Sequence, residues 1–235
     1  MKNIIITGAS NGLGIEIAKS LASDNNLILT YLNNYENALK LKEEFSTYNN
    51  KVEIYKLDLS NEDSINEFVN NIGEVDVLIN NAATSKDTLV EDKTKEDFMK
   101  ILDVNLVGPF LLSRKIAEKM LLNKKGVILN IASTNGIDTY YPYSLDYDAS
   151  KAGLINLTHN LARHYAPFIR VNAICPGWIE SDFELDGKFK EEEMSKILLN
   201  RFAKKEEIAN VVKFLISDDA SYINSTIIRV DGGKC

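Results

Sequence analysis

The chain has 235 residues, 45% of them hydrophobic and 26% charged, with a net charge of −7 and an isoelectric point near 5.0. A chain of this length buries enough apolar surface to hold together without disulfides or a structural metal, which sets aside disordered and fibrous classes; its acidity argues against a nucleic-acid partner, since such partners are met by a basic face. Its two cysteines, Cys175 and Cys235, suit a reducing compartment better than a disulfide framework, and neither a membrane span nor a secretory leader is legible, so the expectation is a cytoplasmic protein with no membrane partner.

In chain order, short runs rich in Ile, Val and Leu alternate with stretches of helical period, the pattern of βαβ units around a mainly parallel sheet covered on both faces. Residues 3–6 are the first predicted strand. Directly after it comes Thr7-Gly8-Ala9-Ser10-Asn11-Gly12-Leu13-Gly14, then a helix with Ile15, Ala18, Leu21 and Ala22 on one face. Glycines in such a turn let the backbone approach a ligand, and the free N–H groups and positive dipole end of the helix suit a pyrophosphate, so a dinucleotide is the natural ligand. The spacing is G-x-x-x-G-x-G rather than the general G-x-G-x-x-G, and plain turn glycines would read the same.

Residues 27–32 form the second strand. Its end, Thr30-Tyr31-Leu32-Asn33-Asn34, offers no carboxylate to repel a 2′-phosphate and no Arg or Lys to grip one; the balance leans to NADP(H) over NAD(H). Residues 52–57 and 75–79 are the next strands. Between them Ser60 with Asp63 resembles a capping box, and Thr94 with Asp97 opens a long helical stretch to about Leu122 in the same way. Residues 126–131, 169–174 and 226–230 complete seven strands. Between 175 and 204 the pattern fails, with Pro176-Gly177, Asp186-Gly187 and the charged run 188–193 in place of an element. A long irregular insert is usually functional, and 178–203 is expected to be a substrate lid with Trp178, Phe183, Leu185, Phe189, Met194 and Leu198 as its apolar underside. The runs 36–44 and 188–193 are read as solvated faces. No repeat or linker divides the chain, so 1–235 is one expected domain.

Tyr147-Asp148-Ala149-Ser150-Lys151 puts a phenol and an ammonium at i and i+4, on one face of a helix. Alone, that pair is better explained by packing aromatics (Tyr140, Tyr141 and Tyr143 are neighbours) and a solvated lysine. Its company raises it: Asn80-Asn81-Ala82-Ala83 closes the fourth strand, Asn105 follows in the next helix, and Asn130-Ile131-Ala132-Ser133 closes the fifth, where strand ends converge on the ligand crevice. His159 and His164 are the only histidines and have no ligand cluster, so no metal is expected.

With these motifs in this order, the chain resembles the short-chain dehydrogenase/reductase family over essentially its whole length, and within it the 3-oxoacyl-(acyl-carrier-protein) reductases. The resemblance implies a single-domain Rossmann-type α/β fold, a doubly wound parallel sheet of about seven strands with helices on both faces. It implies cofactor contacts from Gly8, Ser10, Asn11, Gly12, Leu13, Gly14, Asp58, Leu59, Asn81, Ala82, Tyr147, Lys151, Pro176, Gly177, Ile179 and Ser181. Asp58 would lie beside the adenine, although it equally suits the flank of the helix after Ser60. The implied catalytic set is Asn105, Ser133, Tyr147 and Lys151. Tyr147 would be the general acid, Ser133 the hydrogen-bond donor to the substrate oxygen, and Lys151 the cation that lowers the phenol pKa and holds the ribose. Asn105 would position a proton-relaying water.

Three positions depart from the pattern: Ala83 for a Gly, Ser181 for a Thr, and one extra residue between Ser133 and Tyr147, placed in the loop 138–144. The expected reaction is reduction of a 3-oxoacyl thioester on acyl-carrier-protein or coenzyme A. The rivals are a sugar or polyol dehydrogenase, favoured by Asp138-Thr139-Tyr140 and Asp146, a hydroxysteroid-type enzyme, and a non-catalytic dinucleotide sensor, against which the intact set of four counts. The long apolar helices at 101–122 and 147–166 imply a homotetramer, as in the family, with a dimer as fallback.

Overall fold

The computed structural model describes residues 1–180 and 186–234. Seven parallel strands stand in the order β3-β2-β1-β4-β5-β6-β7, namely β1 (Asn3–Ile6), β2 (Asn26–Tyr31), β3 (Val52–Lys56), β4 (Val77–Asn80), β5 (Gly126–Ile131), β6 (Ile169–Pro176) and β7 (Ile227–Val230). All seven predicted strands are present. Three shift at an end in ways that matter: β2 stops before Leu32, which therefore lies in the turn at the strand's carboxyl end; β4 begins two residues late; and β6 runs on through Cys175 and Pro176, pairing with Arg229 and Val230 of β7.

Helices cover both faces. They are α1 (Gly12–Ala22), α2 (Tyr35–Phe45), α3 (Glu62–Asn71), α4 (Lys95–Leu102), α5 (Gly108–Leu122), α6 (Leu145–Tyr165), α7 (Gly187–Ser195) and α8 (Lys205–Ile216). The two-residue period of β1 divides the core: Ile4 and Ile6 join the cluster with Ile17, Leu21, Phe45, Val212 and Leu215 of α1, α2 and α8, while Ile5 joins Phe68, Leu112, Ile116 and Leu161 of α3, α5 and α6. Chains wound in this way on both faces leave a crevice where the strand order reverses, here between β1 and β4.

Three sequence expectations change. Ser60 does not cap α3: Asn61 does, its amide oxygen accepting from the Asp63 and Ser64 N–H groups, while the Ser60 hydroxyl turns back to Asp58 Oδ1 at 2.6 Å. Thr94 does cap α4, accepting from the Asp97 N–H at 3.1 Å, but the stretch to Leu122 is not one regular helix. Residues Asp103–Val107 widen into a π turn before Gly108 restarts the α spiral; a side chain at Gly108 would strike Leu59. The run 188–193 is an element after all, α7, capped by Asp186 on the Phe189 N–H. Among the described residues no helix is long and apolar enough to cross a membrane, and no group of three or more His, Cys, Asp or Glu is placed to hold a metal.

Candidate active site

The β1/β4 crevice is a cavity of about 770 Å³ at the carboxyl ends of the strands. Fifteen of the sixteen residues expected to touch a cofactor line it: Gly8, Ser10, Asn11, Gly12, Leu13, Gly14, Asp58, Leu59, Asn81, Ala82, Tyr147, Lys151, Pro176, Gly177 and Ile179. The sixteenth, Ser181, lies outside the described residues, as do Phe183, Leu185 and Cys235.

The glycine loop is shaped by contacts that its sequence makes necessary. Gly12 turns with φ +48° and has open space where a Cβ would sit, so bare backbone faces the cavity; at Gly14 a Cβ would strike the Gly8 carbonyl oxygen. Asn11 precedes α1 without a side-chain cap, because its amide oxygen is taken by Asn34 Nδ2 at 3.0 Å; its carbonyl accepts from the Gly14 N–H at 3.0 Å, which leaves the Gly12 and Leu13 N–H groups for a ligand. Asn81 braces the loop from β4, its Nδ2 donating to the Thr7 carbonyl at 2.9 Å while Thr7 Oγ1 accepts from the Asn81 and Ala82 N–H groups. Uncapped donors on bare backbone at a helix N-terminus fit the pyrophosphate of a dinucleotide.

Past the end of β3, Asp58 and Leu59 line the cavity. Asp58 also braces the turn before α3, Oδ1 accepting from the Ser60 N–H at 2.9 Å, so facing the cavity and flanking the helix are compatible in one conformation. At the end of β2, Thr30, Tyr31, Leu32 and Asn33 line the cavity and none is acidic.

Ser133, Tyr147 and Lys151 meet on the opposite wall, at the ends of β5 and β6. The Lys151 ammonium donates to the Ile131 carbonyl at 2.8 Å and lies 5.4 Å from the centre of the Tyr147 ring. Burial pushes the Tyr147 phenol up to about 12, against a hydrogen bond with Ser133 that pulls it down. Burial also brings Lys151 down to about 8. Desolvation is the largest influence on both groups, lifting the phenol above its ordinary value near 10 and lowering the ammonium below its own.

Asn105 sits in the π turn, fully buried, and does not line the cavity. Its amide clasps the backbone of Thr84, accepting from the N–H and donating to the carbonyl, each at 2.8 Å, and donates to Ser150 Oγ at 3.1 Å. The side chain is therefore committed to fastening the segment after β4 to α6. A second chain of neutral groups runs beneath the strands: Asn80 Nδ2 donates to Ser113 Oγ and Asn130 Oδ1, and Asn130 Nδ2 donates to Thr158 Oγ1, all at 2.8–2.9 Å.

Sequence reasoning missed Thr84, Lys100 and Val104 among the cavity residues. Thr84 directly follows the Asn-Asn-Ala-Ala motif, and Lys100 and Val104 are one helical turn apart, so the i, i+4 rule that paired Tyr147 with Lys151 was the available signal. Of the expected lid underside, Trp178 stacks on Phe202 at 5.6 Å and meets Phe189 and Tyr141 edge-on or tilted, whereas Leu198 is 77% exposed. Glu193, expected on a solvated face, is buried and holds Trp178 Nε1 (2.7 Å), Lys196 (2.6 Å) and Lys234 (2.8 Å). Burial pushes its carboxyl up, but these three donors outweigh it and hold it down at about 2. The carboxylates that favoured a polyol site are spent elsewhere: Asp146 is buried against Lys93, and Asp138 pairs with Arg229 at 2.6 Å.

A family profile described as enoyl-(acyl carrier protein) reductase matches residues 8–234. The chain is 36% identical over 239 residues to a 3-oxoacyl-(acyl-carrier-protein) reductase of Thermotoga maritima, covering 99% of this chain and 97% of the relative. It is 37% identical over 237 residues to the same-named protein of Aquifex aeolicus, covering 97% and 95%. Among solved structures, an acetoin dehydrogenase from Salmonella typhimurium superposes with a TM-score of 0.89 at 28% identity, covering 100% of this chain and 96% of that one.

Proposed function

Because the chain belongs to the short-chain dehydrogenase/reductase family and is an oxidoreductase acting on CH–OH groups, we propose that it reduces the keto group of a 3-oxoacyl thioester to the 3-hydroxyacyl form with NADPH. The observation that carries the chemistry is the buried Tyr147 phenol, which lines with Ser133 and Lys151 the same cavity as the glycine loop. When bound, the nicotinamide supplies or takes up the hydride. The rest falls to the chain. As negative charge builds on the carbonyl oxygen, the Tyr147 O–H gives its proton to that oxygen, and the Ser133 hydroxyl donates a hydrogen bond to it. Lys151 presents a cation to the ribose and phenol, and Asn105 positions both by bracing α6.

NADPH is preferred over NADH in this reading because the β2 end presents Leu32 and Asn33 and no carboxylate to a 2′-phosphate. The thioester rests on the printed names of the curated relatives; an acyl-carrier-protein would then be the partner presenting it, in the cytoplasm. A small hydroxyketone is the second reading, favoured by the superposition on an acetoin dehydrogenase and by Trp178, Tyr141 and Phe189, which pack on one another outside the cavity rather than lining an acyl channel. Residues 178–203, whose base is closed by the Ile179–Ala203 bridge, are the proposed lid.

The test is loss of reduced-nicotinamide absorbance with acetoacetyl-CoA and, separately, diacetyl, each with NADPH and NADH, and with Tyr147→Phe as control. Removing the proton donor should cost about 10²–10⁴ in turnover and leave the NADPH Kd within about twofold, since the phenol carries no binding charge. Thioester turnover supports the first reading and turnover of diacetyl alone the second; a fully active Tyr147→Phe protein would sink the mechanism.

A further inference from the structure

Tyr147 is held by its own backbone on both sides. Its carbonyl accepts from Ser150 Oγ at 2.6 Å, and Ser150 is in turn held by Asn105. Its N–H donates to Asp146 Oδ1 at 2.9 Å. Ser144, at the N-cap position of α6, provides no side-chain cap, because its hydroxyl is engaged with Asp148 and the Tyr141 carbonyl. Asp146 thus meets a first-turn donor that the cap leaves open.

Asp146 is itself pinned. Its carboxylate is fully buried, and both oxygens lie 2.9 Å from the Lys93 ammonium, whose side chain is 5% exposed. Lys93 also donates to the Lys86 carbonyl at 2.6 Å. The pair therefore joins the segment after β4 to the residue preceding Tyr147, just as Asn105 joins that segment to Ser150 through Thr84; a third stitch runs from the Thr88 N–H to the Tyr143 carbonyl at 3.0 Å. Asp87 faces the same cluster. Burial raises its carboxyl above the ordinary range, with Lys93 pulling it down and Asp146 and Asp148 pushing it up.

A buried ion pair is weak evidence for stability, because desolvation offsets its attraction, and two neutral residues of similar size commonly fold as well. What such a pair does provide is one geometry. We propose that Lys93 is a positioning residue for Tyr147, fixing the start of α6 through its buried pair with Asp146. This rests on the reading of Tyr147 as proton donor, and loss of that phenol's fixed position should lower turnover without touching dinucleotide binding.

Lys93→Met alone strands a buried carboxylate and is the harsher variant. Lys93→Met/Asp146→Asn removes both charges, keeps an acceptor for the Tyr147 N–H and keeps the volume. Folded sites are counted by NADPH fluorescence titration, and kcat and KM are measured per site with whichever of acetoacetyl-CoA and diacetyl the wild type reduces, beside Tyr147→Phe. For the double variant, kcat should fall at least about tenfold, with KM and the NADPH Kd within about twofold. In the protein without dinucleotide, amide exchange at residues 145–148 should quicken at least about tenfold while residues from 154 onward keep their protection. Unchanged kcat and unchanged exchange would overturn the proposal, as would a double variant that fails to fold, since the pair would then serve stability alone. An active Tyr147→Phe protein would instead overturn the underlying reading of the phenol, whatever the Lys93 variants do.

Discussion

At the scale of the residue, burial rather than pairing sets the two titrating groups of the site. Lys151 carries its charge below about pH 8 and is neutral above it. Because burial lowers its pKa, the cation is lost as pH rises, and the anionic dinucleotide loses a favourable charge with it. Fluorescence titrations of NADPH should therefore show a Kd that is flat from about pH 6 to 7 and weakens above about pH 8; in Lys151→Arg, whose guanidinium stays charged, that limb should vanish. Leu32 marks the other end of the cavity. Leu32→Asp should weaken NADPH at least about tenfold and leave NADH nearly unchanged, the difference between repelling a 2′-phosphate and accepting from a 2′-hydroxyl; equal effects on both would place the phosphate elsewhere. Both residues were legible in sequence, Lys151 from its spacing to Tyr147 and Leu32 from its place after a strand. The Lys93–Asp146 pair was not, because 53 positions separate its members and no local rule joins them.

At the scale of the element, local chemistry predicted what local chemistry decides. Thr94 caps α4 as its spacing to Asp97 implies, but Asn61 displaced Ser60 as the cap of α3 because Asp58 offered the Ser60 hydroxyl a nearer acceptor. The π turn around Asn105 was illegible for a different reason: nothing in the composition of residues 103–107 distinguishes it, and its cause is tertiary, the clasp on Thr84 and the close approach of Gly108 to Leu59. The helix α7 was hidden by its charge. Its hold on the fold is Glu193, whose carboxyl is held at about 2 by its three donors, below the ordinary glutamate value of 4.5. The depressed value means that its contribution is present above about pH 4.5 and is lost as pH falls toward 2, on the order of 3 kcal/mol in all. Thermal melts from pH 6 to 2.5 should show a steeper loss of stability in the wild type than in Glu193→Gln, which lacks that linkage.

At the scale of the whole molecule, the alternating pattern announced the sheet, and the strand order follows from right-handed crossovers wound outward on both sides of β1. Assembly is the reading still to be tested. Phe110 on α5, Leu145 on α6 and Phe214 on α8 remain partly exposed and Tyr222 after α8 is fully exposed, apolar surface available to the expected homotetramer. Light scattering should give about four times the 26.4 kDa of one chain, and Phe110→Glu should yield a smaller species; a monomer at micromolar concentration would refute the tetramer. The chain of amides and hydroxyls beneath the site, from Ser113 through Asn80 and Asn130 to Thr158, has a quieter consequence. None of these groups ionises in the range where proteins work, so the platform under the strands gives the same support in mild acid as in mild alkali. Acid–base chemistry is thus mounted on a chemically mute foundation, and whatever pH dependence turnover shows arises elsewhere than in this chain of amides and hydroxyls.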